Sequence, residues 1–255
     1  MNWQGLILVL ETSASQGEIA IFESDKLIAS QIVPDLRRQS NRLSMLIGEL
    51  FVTSNRQTKD LSGVIVSLGP GSYTSLRVGM MTAKTFAYAV GCPCLGIDRF
   101  LAIAEEVRKS PAWHEMVLSF QDAKGIQRPN RLAVIEDALQ KKIFCQWYIW
   151  QESKWNPDSQ TEIVSIQTFI EELHENDLVV GPGLSTYGEY ITHNKKTTLL
   201  SEFSHPRCNS YFTIAKKMES IQTREWWTME PNYLRGSYAE EKNKTEEKNK
   251  NEKKN

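Results

Sequence analysis

Two glycine-rich turns and one acidic residue have the types and spacing that could bind a ligand. Gly69 and Gly71 follow the β-branched run 64–66 and precede apolar residues at helical spacing, which predicts a strand, a tight loop and a helix. The helix start would favour an anion, commonly a phosphate, and Ser72 could add a hydroxyl donor. The alternative is that the glycines only allow a sharp turn.

Glu11 and a second glycine turn extend this candidate site. Glu11 follows the apolar run 6–10 and could hold a metal-bound phosphate, or it could be a solvated hairpin carboxylate. The second turn follows the predicted strand 178–180. A P-loop lysine and the third glycine of a dinucleotide fingerprint are both missing from the first loop. The candidate cofactor-binding residues are therefore Glu11, Gly69, Gly71, Ser72, Gly181 and Gly183.

The composition indicates a globular protein without an electrostatic reason to bind nucleic acid by itself. The chain has 255 residues, 40% of them hydrophobic and 24% charged, and its net charge is -1. The run 6–10 is too short and wrongly flanked for a signal peptide, and no other run approaches a membrane span, so we expect a cytoplasmic location without membrane contact. The four cysteines are expected to be reduced, and the scattered histidines predict no metal site.

The order of predicted elements indicates an α/β protein with two lobes. Three antiparallel strands, a helix over 40–53 with Ser40 as its N-cap, the strand before the glycine loop and a helix over 75–90 form the first lobe. A strand at 118–120 is predicted to open the second lobe, and a helix is predicted over 211–221. The expected boundaries are 1–109 for the first lobe, 110–235 for the second and 236–255 for a disordered polar tail.

Four segments carry a resemblance to a known family. They are residues 8–13 (LVLETS), 69–79 (GPGSYTSLRVG), 96–98 (GID) and 230–235 (EPNYLR). Together they resemble the TsaB family, also called YeaZ, over residues 6–235. The resemblance implies the actin-like, Hsp-type ATPase (ASKHA) fold, with two related lobes of mixed sheets flanked by helices.

The resemblance also implies a function. The family is the non-catalytic subunit needed for threonylcarbamoyl transfer to the tRNA adenosine beside the anticodon, and a TsaD-like paralogue carries out the catalysis. That paralogue has a His-x-x-x-His metal pair after the third segment, where this chain has Arg99 and Ile103. We therefore expect no catalytic residue, no metal and no cofactor in this chain, with ATP or ADP only at the partner boundary. A TsaE-like ATPase would be a further partner, and tRNA would be contacted only through the complex.

The resemblance further implies that this chain pairs with the paralogue through helices of the first lobe. The sequence offers two apolar helices for it, and the predicted contact residues are Leu43, Leu46, Ile47, Leu50, Gly79, Ala83 and Phe86. On this interpretation an Ala83→Arg variant should fold but fail to pair. Two alternatives remain open: an autonomous actin-like ATP-binding enzyme, and a scaffold that pairs with a second copy of itself.

Overall fold

The protein consists of two mixed β-sheets, each flanked by helices. The structure is a computed structural model that describes residues 3, 5–14, 16–33, 42–122, 130–194, 197–218 and 223–234. The strands are β1 Leu6–Glu11, β2 Gly17–Glu23, β3 Lys26–Val33, β4 Leu61–Ser67, β5 Cys94–Ile97, β6 Arg131–Asp137, β7 Lys142–Gln151, β8 Lys154–Pro157, β9 Glu162–Ser165, β10 Leu178–Val180 and β11 Thr198–Leu200. The helices are α1 Leu43–Thr53, α2 Tyr73–Val90, α3 Arg99–Lys109, α4 Pro111–Asp122, α5 Ile166–Glu172, α6 Leu184–Asn194 and α7 Cys208–Lys217, with short 3-10 helices at Thr58–Asp60 and Thr223–Thr228.

The first sheet has the strand order β3-β2-β1-β4-β5. As predicted, β1, β2 and β3 are antiparallel neighbours, and β4 and β5 continue the sheet in parallel. Both faces are covered, because Leu8 and Leu10 of β1 pack under α1 and α2 while Ile7 and Val9 face a core that α7 completes. A helix near the end of the chain is therefore part of the first lobe.

The second sheet repeats this arrangement. Its order is β11-β10-β6-β7-β8, with β9 also pairing with β7. The central strand β6 again has an antiparallel partner, β7, on one side and a parallel partner, β10, on the other. The repeated strand order confirms the predicted actin-like class of two related α/β lobes.

Helix α3 links the two sheets, because its side chains Phe100, Ile103 and Val107 lie in one core cluster with Leu132 and Val134 of β6. The lobe boundary after residue 109 stays a prediction. The predicted strand at 118–120 is wrong, since these residues continue α4, and the helix predicted over 211–221 begins earlier, at Cys208. All four cysteines are free and buried, as expected. Ser40 and the polar tail lie outside the described residues.

Five of the seven predicted partner-contact residues belong to the core of the first lobe, which corrects the prediction for these five. Helices α1 and α2 turn these side chains toward the sheet, where they pack among the strand residues, and Phe86 is half-buried against the same cluster. A side chain that fills the core cannot also form a contact surface while the lobe stays folded. These five are Leu43, Leu46, Ile47, Leu50 and Ala83. For Phe86, and for Gly79, which is buried against Thr12, the contact stays a prediction.

The opposite faces of the same two helices carry exposed apolar side chains. They are Met45 and Val52 on α1, 47% and 80% exposed, and Met81 and Tyr88 on α2, 63% and 81% exposed. Each pair is seven residues apart, which places its members two turns apart on one side of their helix. We call these four residues the outer face of the first lobe. An apolar surface of this kind is typical of a protein contact.

Candidate functional site at the junction of the lobes

The glycine loop packs tightly against the turn between β1 and β2. Gly69 has a positive φ of 88°, which glycine adopts without strain, and the backbone N–H of Ser72 donates to the carbonyl of Ser13 at 3.1 Å. A Cβ on Gly71 would lie 2.1 Å from that same carbonyl oxygen. The loop therefore needs Gly71 because two backbone segments touch there.

The carboxylate of Glu11 is buried and fully hydrogen-bonded within the chain. One oxygen accepts from the backbone N–H and the hydroxyl of Ser13 at 2.6 and 2.5 Å and from the N–H of Ala14 at 3.1 Å. The Tyr211 hydroxyl, on α7, donates to the other oxygen and also contacts the Ser67 hydroxyl at 3.1 Å. Burial, and then the neighbouring Glu11, raise the pKa of Tyr211, so it stays a donor. Glu11 is thus a structural acceptor that fastens α7 to the glycine-loop region.

The second glycine turn has the same structural use. Gly181 has a φ of 110°, and a Cβ there would lie 2.4 Å from the carbonyl oxygen of Ile135 on β6. The N–H of Gly183 donates to that carbonyl at 3.0 Å. Both glycine turns therefore serve close packing against neighbouring backbone. Four of the six candidate cofactor-binding residues are glycines and have no side-chain donor or acceptor. Of the other two, Glu11 is hydrogen-bonded, and the Ser72 side chain makes no capping hydrogen bond among the described residues.

A buried ion pair connects the lobes next to this region. Arg99 begins α3, is 0% exposed, and donates from Nη2 to Oε2 of Glu136, at the end of β6, at 2.5 Å. Burial lowers the pKa of Arg99, but the carboxylates of Glu136 and Glu11 more than offset this and leave it raised. Within the described residues, Nε and Nη1 of Arg99 have no partner. Arg99 is therefore a buried cation that depends on a carboxylate from the other lobe.

The segments that carried the family resemblance meet at one place. The backbone N–H of Asn232 donates to the carbonyl of Leu68 at 2.8 Å, just before the glycine loop. The Asn232 side chain donates to Oδ2 of Asp98 at 2.9 Å. The rings of Tyr73 and Tyr233 are in contact, tilted by 40° with centroids 4.8 Å apart, and the Arg77 guanidinium lies 5.5 Å from the Tyr73 ring centre. The C-terminal segment thus fastens the loop to the end of β5.

Asp98 is the titratable group at this meeting point. Its Oδ1 accepts from the N–H groups of Phe100 and Leu101 at 2.7 and 3.1 Å, which caps α3. Burial raises the pKa of Asp98 from 3.8 to about 6, against the opposing effect of these hydrogen bonds. A cavity of about 480 Å³ opens beside Asp98, Asn232 and Tyr233.

Asp98→Asn is expected to raise the free energy of unfolding at pH 7.5 by about 1 kcal/mol, after allowing for solvent screening of a half-buried group. A carboxyl whose pKa is raised by folding contributes stability that is present below about pH 4 and lost as the pH rises through about 6. Asparagine keeps the helix cap through its one oxygen without the charge, and the Asn232 amide turns its carbonyl oxygen toward the new N–H donor. Denaturant unfolding of both proteins from pH 4 to 7.5 measures this, and a difference that does not change with pH would contradict it.

The positions of the paralogue's histidine pair are packed into the interior. Arg99 is held by Glu136, and Ile103 is fully buried in the cluster between α3 and the second sheet. In the part of the chain that the structure describes, no three His, Cys, Asp or Glu side chains are grouped to hold a metal ion. Sequence reasoning did not identify Arg99, Glu136 and Tyr211 as members of the junction. Arg99 and Glu136 are 37 residues apart, and Tyr211 lies 200 residues from Glu11.

The chain is similar to two groups of known proteins, to one over part of its length and to the other over nearly all of it. The TsaD family, described as tRNA N6-adenosine threonylcarbamoyltransferase, matches residues 25–127. The tRNA threonylcarbamoyladenosine biosynthesis protein TsaB of Bacillus subtilis is 24% identical over 242 residues, which is 92% of this chain and 96% of that protein. The tRNA N6-adenosine threonylcarbamoyltransferase of Solidesulfovibrio magneticus is 35% identical over 112 residues, but the match spans only 30% of that protein and 38% of this chain.

Solved structures share the fold over nearly the whole chain. YeaZ from Pseudomonas aeruginosa superposes with a TM-score of 0.66 at 16% identity, covering 91% of this chain and all of that one (100%). A protein from the same organism, described as similar to peptidase YEAZ, gives 0.69 with the same identity and coverage. None of the described helices is long and apolar enough to cross a bilayer. The chain is thus similar to the TsaB protein of Bacillus subtilis over nearly its whole length, and it shares the fold of YeaZ from Pseudomonas aeruginosa.

Proposed function

We propose that the chain is a subunit of the machinery that makes threonylcarbamoyladenosine in tRNA, and that it acts through a TsaD-like catalytic partner without carrying out the transfer itself. The observation that carries the proposal is the similarity to a tRNA threonylcarbamoyladenosine biosynthesis protein over 92% of the chain. The partner would bind the metal and transfer the threonylcarbamoyl group from its adenylate to tRNA. A TsaE-like ATPase and the tRNA would join through the complex.

The junction of the lobes supports a non-catalytic role. Glu11, which an actin-like ATPase would need for a metal-bound phosphate, is saturated by Ser13, Ala14 and Tyr211. The N–H of Ser72, at the start of α2, is used by Ser13. The groups that an autonomous ATP-binding enzyme would turn toward a nucleotide are thus engaged inside the fold, which disfavours that alternative.

The outer face of the first lobe supports contact with the partner. The TsaD-like relatives resemble this chain in its first lobe, so the partner carries helices of the same type. Two similar lobes can pair through equivalent helices, as in an isologous dimer. Met45, Val52, Met81 and Tyr88 would be covered in such a pair. Methionine suits this task because its flexible side chain adapts to a partner that is related but not identical.

Tyr88→Asp is expected to weaken binding to the TsaD-like protein of the same genome at least about thirtyfold, because a charge would be buried at an aromatic contact. Tyr88 is 81% exposed, so the variant should melt like the parent. Leu139→Asp is the matched control, since Leu139 is also exposed but lies in the second lobe. Calorimetric titration measures all three proteins. If both variants weaken binding equally, or if neither weakens it, the outer face is not the partner contact.

Self-association is the competing use of the same surface. A homodimer of the isolated chain would cover the outer face of both copies. Light scattering of Tyr88→Asp then gives a monomer where the parent gives a dimer. We propose that such a dimer, where it forms, is displaced by the catalytic partner.

A further inference from the structure

A second cavity lies on the side of the first sheet that α7 covers. It has a volume of about 770 Å³, within the range of small-molecule sites. Strands β2 and β3 form one wall and the start of α7 forms another, while the end of α3, the start of α4 and the loop after β11 close it. The outer face of the first lobe belongs to α1 and α2, across the sheet, so the proposed function does not use this cavity.

Two carboxylates of this cavity cap the N-terminus of α7. Oε2 of Glu18, on β2, accepts from the backbone N–H of Cys208 at 2.6 Å. Oε1 of Glu106, on α3, accepts from the backbone N–H of Arg207 and from the hydroxyl of Ser210, the latter at 3.3 Å. Because the two N–H groups belong to consecutive residues, the two carboxylates lie close together at one end of the helix.

Each of these carboxylates keeps one oxygen for a further donor. No described residue donates to Oε1 of Glu18 or to Oε2 of Glu106. Glu18 is only 8% exposed, and it lines the cavity. Burial raises the pKa of Glu106, although its hydrogen bonds and the nearby Arg207 and Lys109 act in the opposite direction. The donors of the chain therefore leave part of the negative charge uncompensated.

The two basic residues of the lining do not satisfy these oxygens. Lys109 donates from Nζ to the hydroxyl of Thr213 at 2.6 Å and lies 3.9 Å from Glu105. Arg207 is exposed. With Glu202 included, carboxylates outnumber basic side chains by three to two among the described residues that line the cavity. An added cation is therefore favoured over an added anion.

Much of the remaining wall is apolar. Leu27, on β3, lines the cavity and is 52% exposed. Pro111, at the start of α4, and the half-buried Phe203, after β11, line it as well. Such a wall removes hydrocarbon from water, and the Phe203 ring can pack against another ring. Carboxylates beside an apolar wall fit a ligand that has a positive charge at one end and a hydrocarbon body.

We infer that this cavity binds an organic amine, with its ammonium group between Glu18 and Glu106 and its hydrocarbon body against Leu27 and Phe203. The ammonium supplies N–H donors to the two remaining oxygens and forms charge-assisted hydrogen bonds with them. A monoamine with an apolar body and a linear polyamine share this chemistry. The inference goes beyond the proposed function and does not require the partner protein.

Calorimetric titration of the full purified chain tests the inference with tryptamine, spermidine and indole-3-propionate. Tryptamine is expected to bind with a Kd of about 1 mM or below. Indole-3-propionate has the same ring but a carboxylate in place of the amine, so it should bind at least about tenfold more weakly. Glu106→Gln should weaken amine binding about tenfold, because it removes the charge but keeps an oxygen for the helix cap. Leu27→Ala should weaken tryptamine binding about threefold by removing apolar contact.

Glu189→Gln is the matched control, because Glu189 is exposed on α6 in the second lobe, and it should leave binding unchanged. The two amines separate the two sources of the ligand. Tighter binding of tryptamine than of spermidine supports a monoamine with an apolar body, and the reverse order supports a polyamine.

Failure of both amines to bind at millimolar concentration overturns the inference, as does equal binding of indole-3-propionate. Unchanged amine binding in Glu106→Gln also overturns it. If that variant does not fold, Leu27→Ala, at an exposed side chain, decides instead, and unchanged binding of both amines there overturns the inference. Loss of partner binding by Tyr88→Asp tests the proposed function and leaves this result unaffected.

Discussion

Glu136→Ala is expected to cost about 3–5 kcal/mol of the free energy of unfolding, because it leaves a fully buried guanidinium without its carboxylate. Arg99 is 0% exposed, and Glu136 holds its Nη2 at 2.5 Å across the lobe junction. Desolvation of the cation is offset in the parent by this contact and by the nearby Glu11. Once Glu136 is removed, the charge stays buried because Arg99 is anchored by its own backbone N–H, which donates to Gly69 at 2.7 Å.

Denaturant unfolding of three variants measures this effect. Glu175→Ala, at an exposed glutamate of the same lobe, should stay within about 0.5 kcal/mol of the parent. Arg99→Met should cost less than Glu136→Ala, because it removes the buried charge itself and leaves a carboxylate whose side chain is 19% exposed. An Arg99→Met variant that is the less stable of the two would contradict this account of the junction.

Ala83→Arg is expected to abolish folding, which reverses the expectation drawn from the sequence. Ala83 is 0% exposed and packs between α2 and the strands of the first sheet. An arginine there would overpack the core and bury an unpaired charge, and together these costs approach the whole stability of about 5–15 kcal/mol of a typical domain. The variant should be insoluble or lack a cooperative melting transition.

Ala89→Arg is the matched control on the same helix. Ala89 is exposed near the C-terminus of α2, where a positive charge interacts favourably with the helix dipole. It should melt within a few degrees of the parent. A soluble Ala83→Arg protein that melts like Ala89→Arg would show that α2 does not pack as described.

Helix periodicity predicted α1 and α2 correctly but not which side of each helix meets the sheet. In α2, Met80 and Ala83 are buried whereas Met81 and Tyr88 are exposed, so apolar residues occur on both sides. A surface that binds a partner and a surface that fills the core have the same composition, and only the position of the sheet separates them. The contact prediction named residues on the inner sides of these helices, where they pack against the sheet.

Short or polar elements escaped the sequence analysis for a different reason. Strand β11 has three residues, and α6 contains Gly188 and several polar residues, so neither has enough periodic apolar positions to be recognised. The strand predicted at 118–120 was an apolar run too short to distinguish from a helix segment.

The junction itself shows which functional features a sequence can reveal. The segments that carry the resemblance could be recognised, but their convergence could not, because Asn232 reaches Asp98 across 134 residues of sequence. Likewise, Glu11 could be identified from the sequence as a candidate ligand. Its hydrogen bond with Tyr211 could not, because it forms only when α7 packs against the first sheet. The sequence therefore predicted the fold and the similarity to TsaB, and the structure corrected the roles of individual residues.

Reconstitution of tRNA modification shows whether the chain acts through a TsaD-like partner. The chain, the TsaD-like protein of the same genome and both together are incubated with unmodified tRNA, the threonylcarbamoyl-adenylate donor, the TsaE-like ATPase and ATP, and nucleosides are analysed by mass spectrometry. We expect threonylcarbamoyladenosine only when both proteins are present, and little of it with Tyr88→Asp. Modified adenosine formed by this chain without the partner, or by the partner equally well without this chain, would contradict the account.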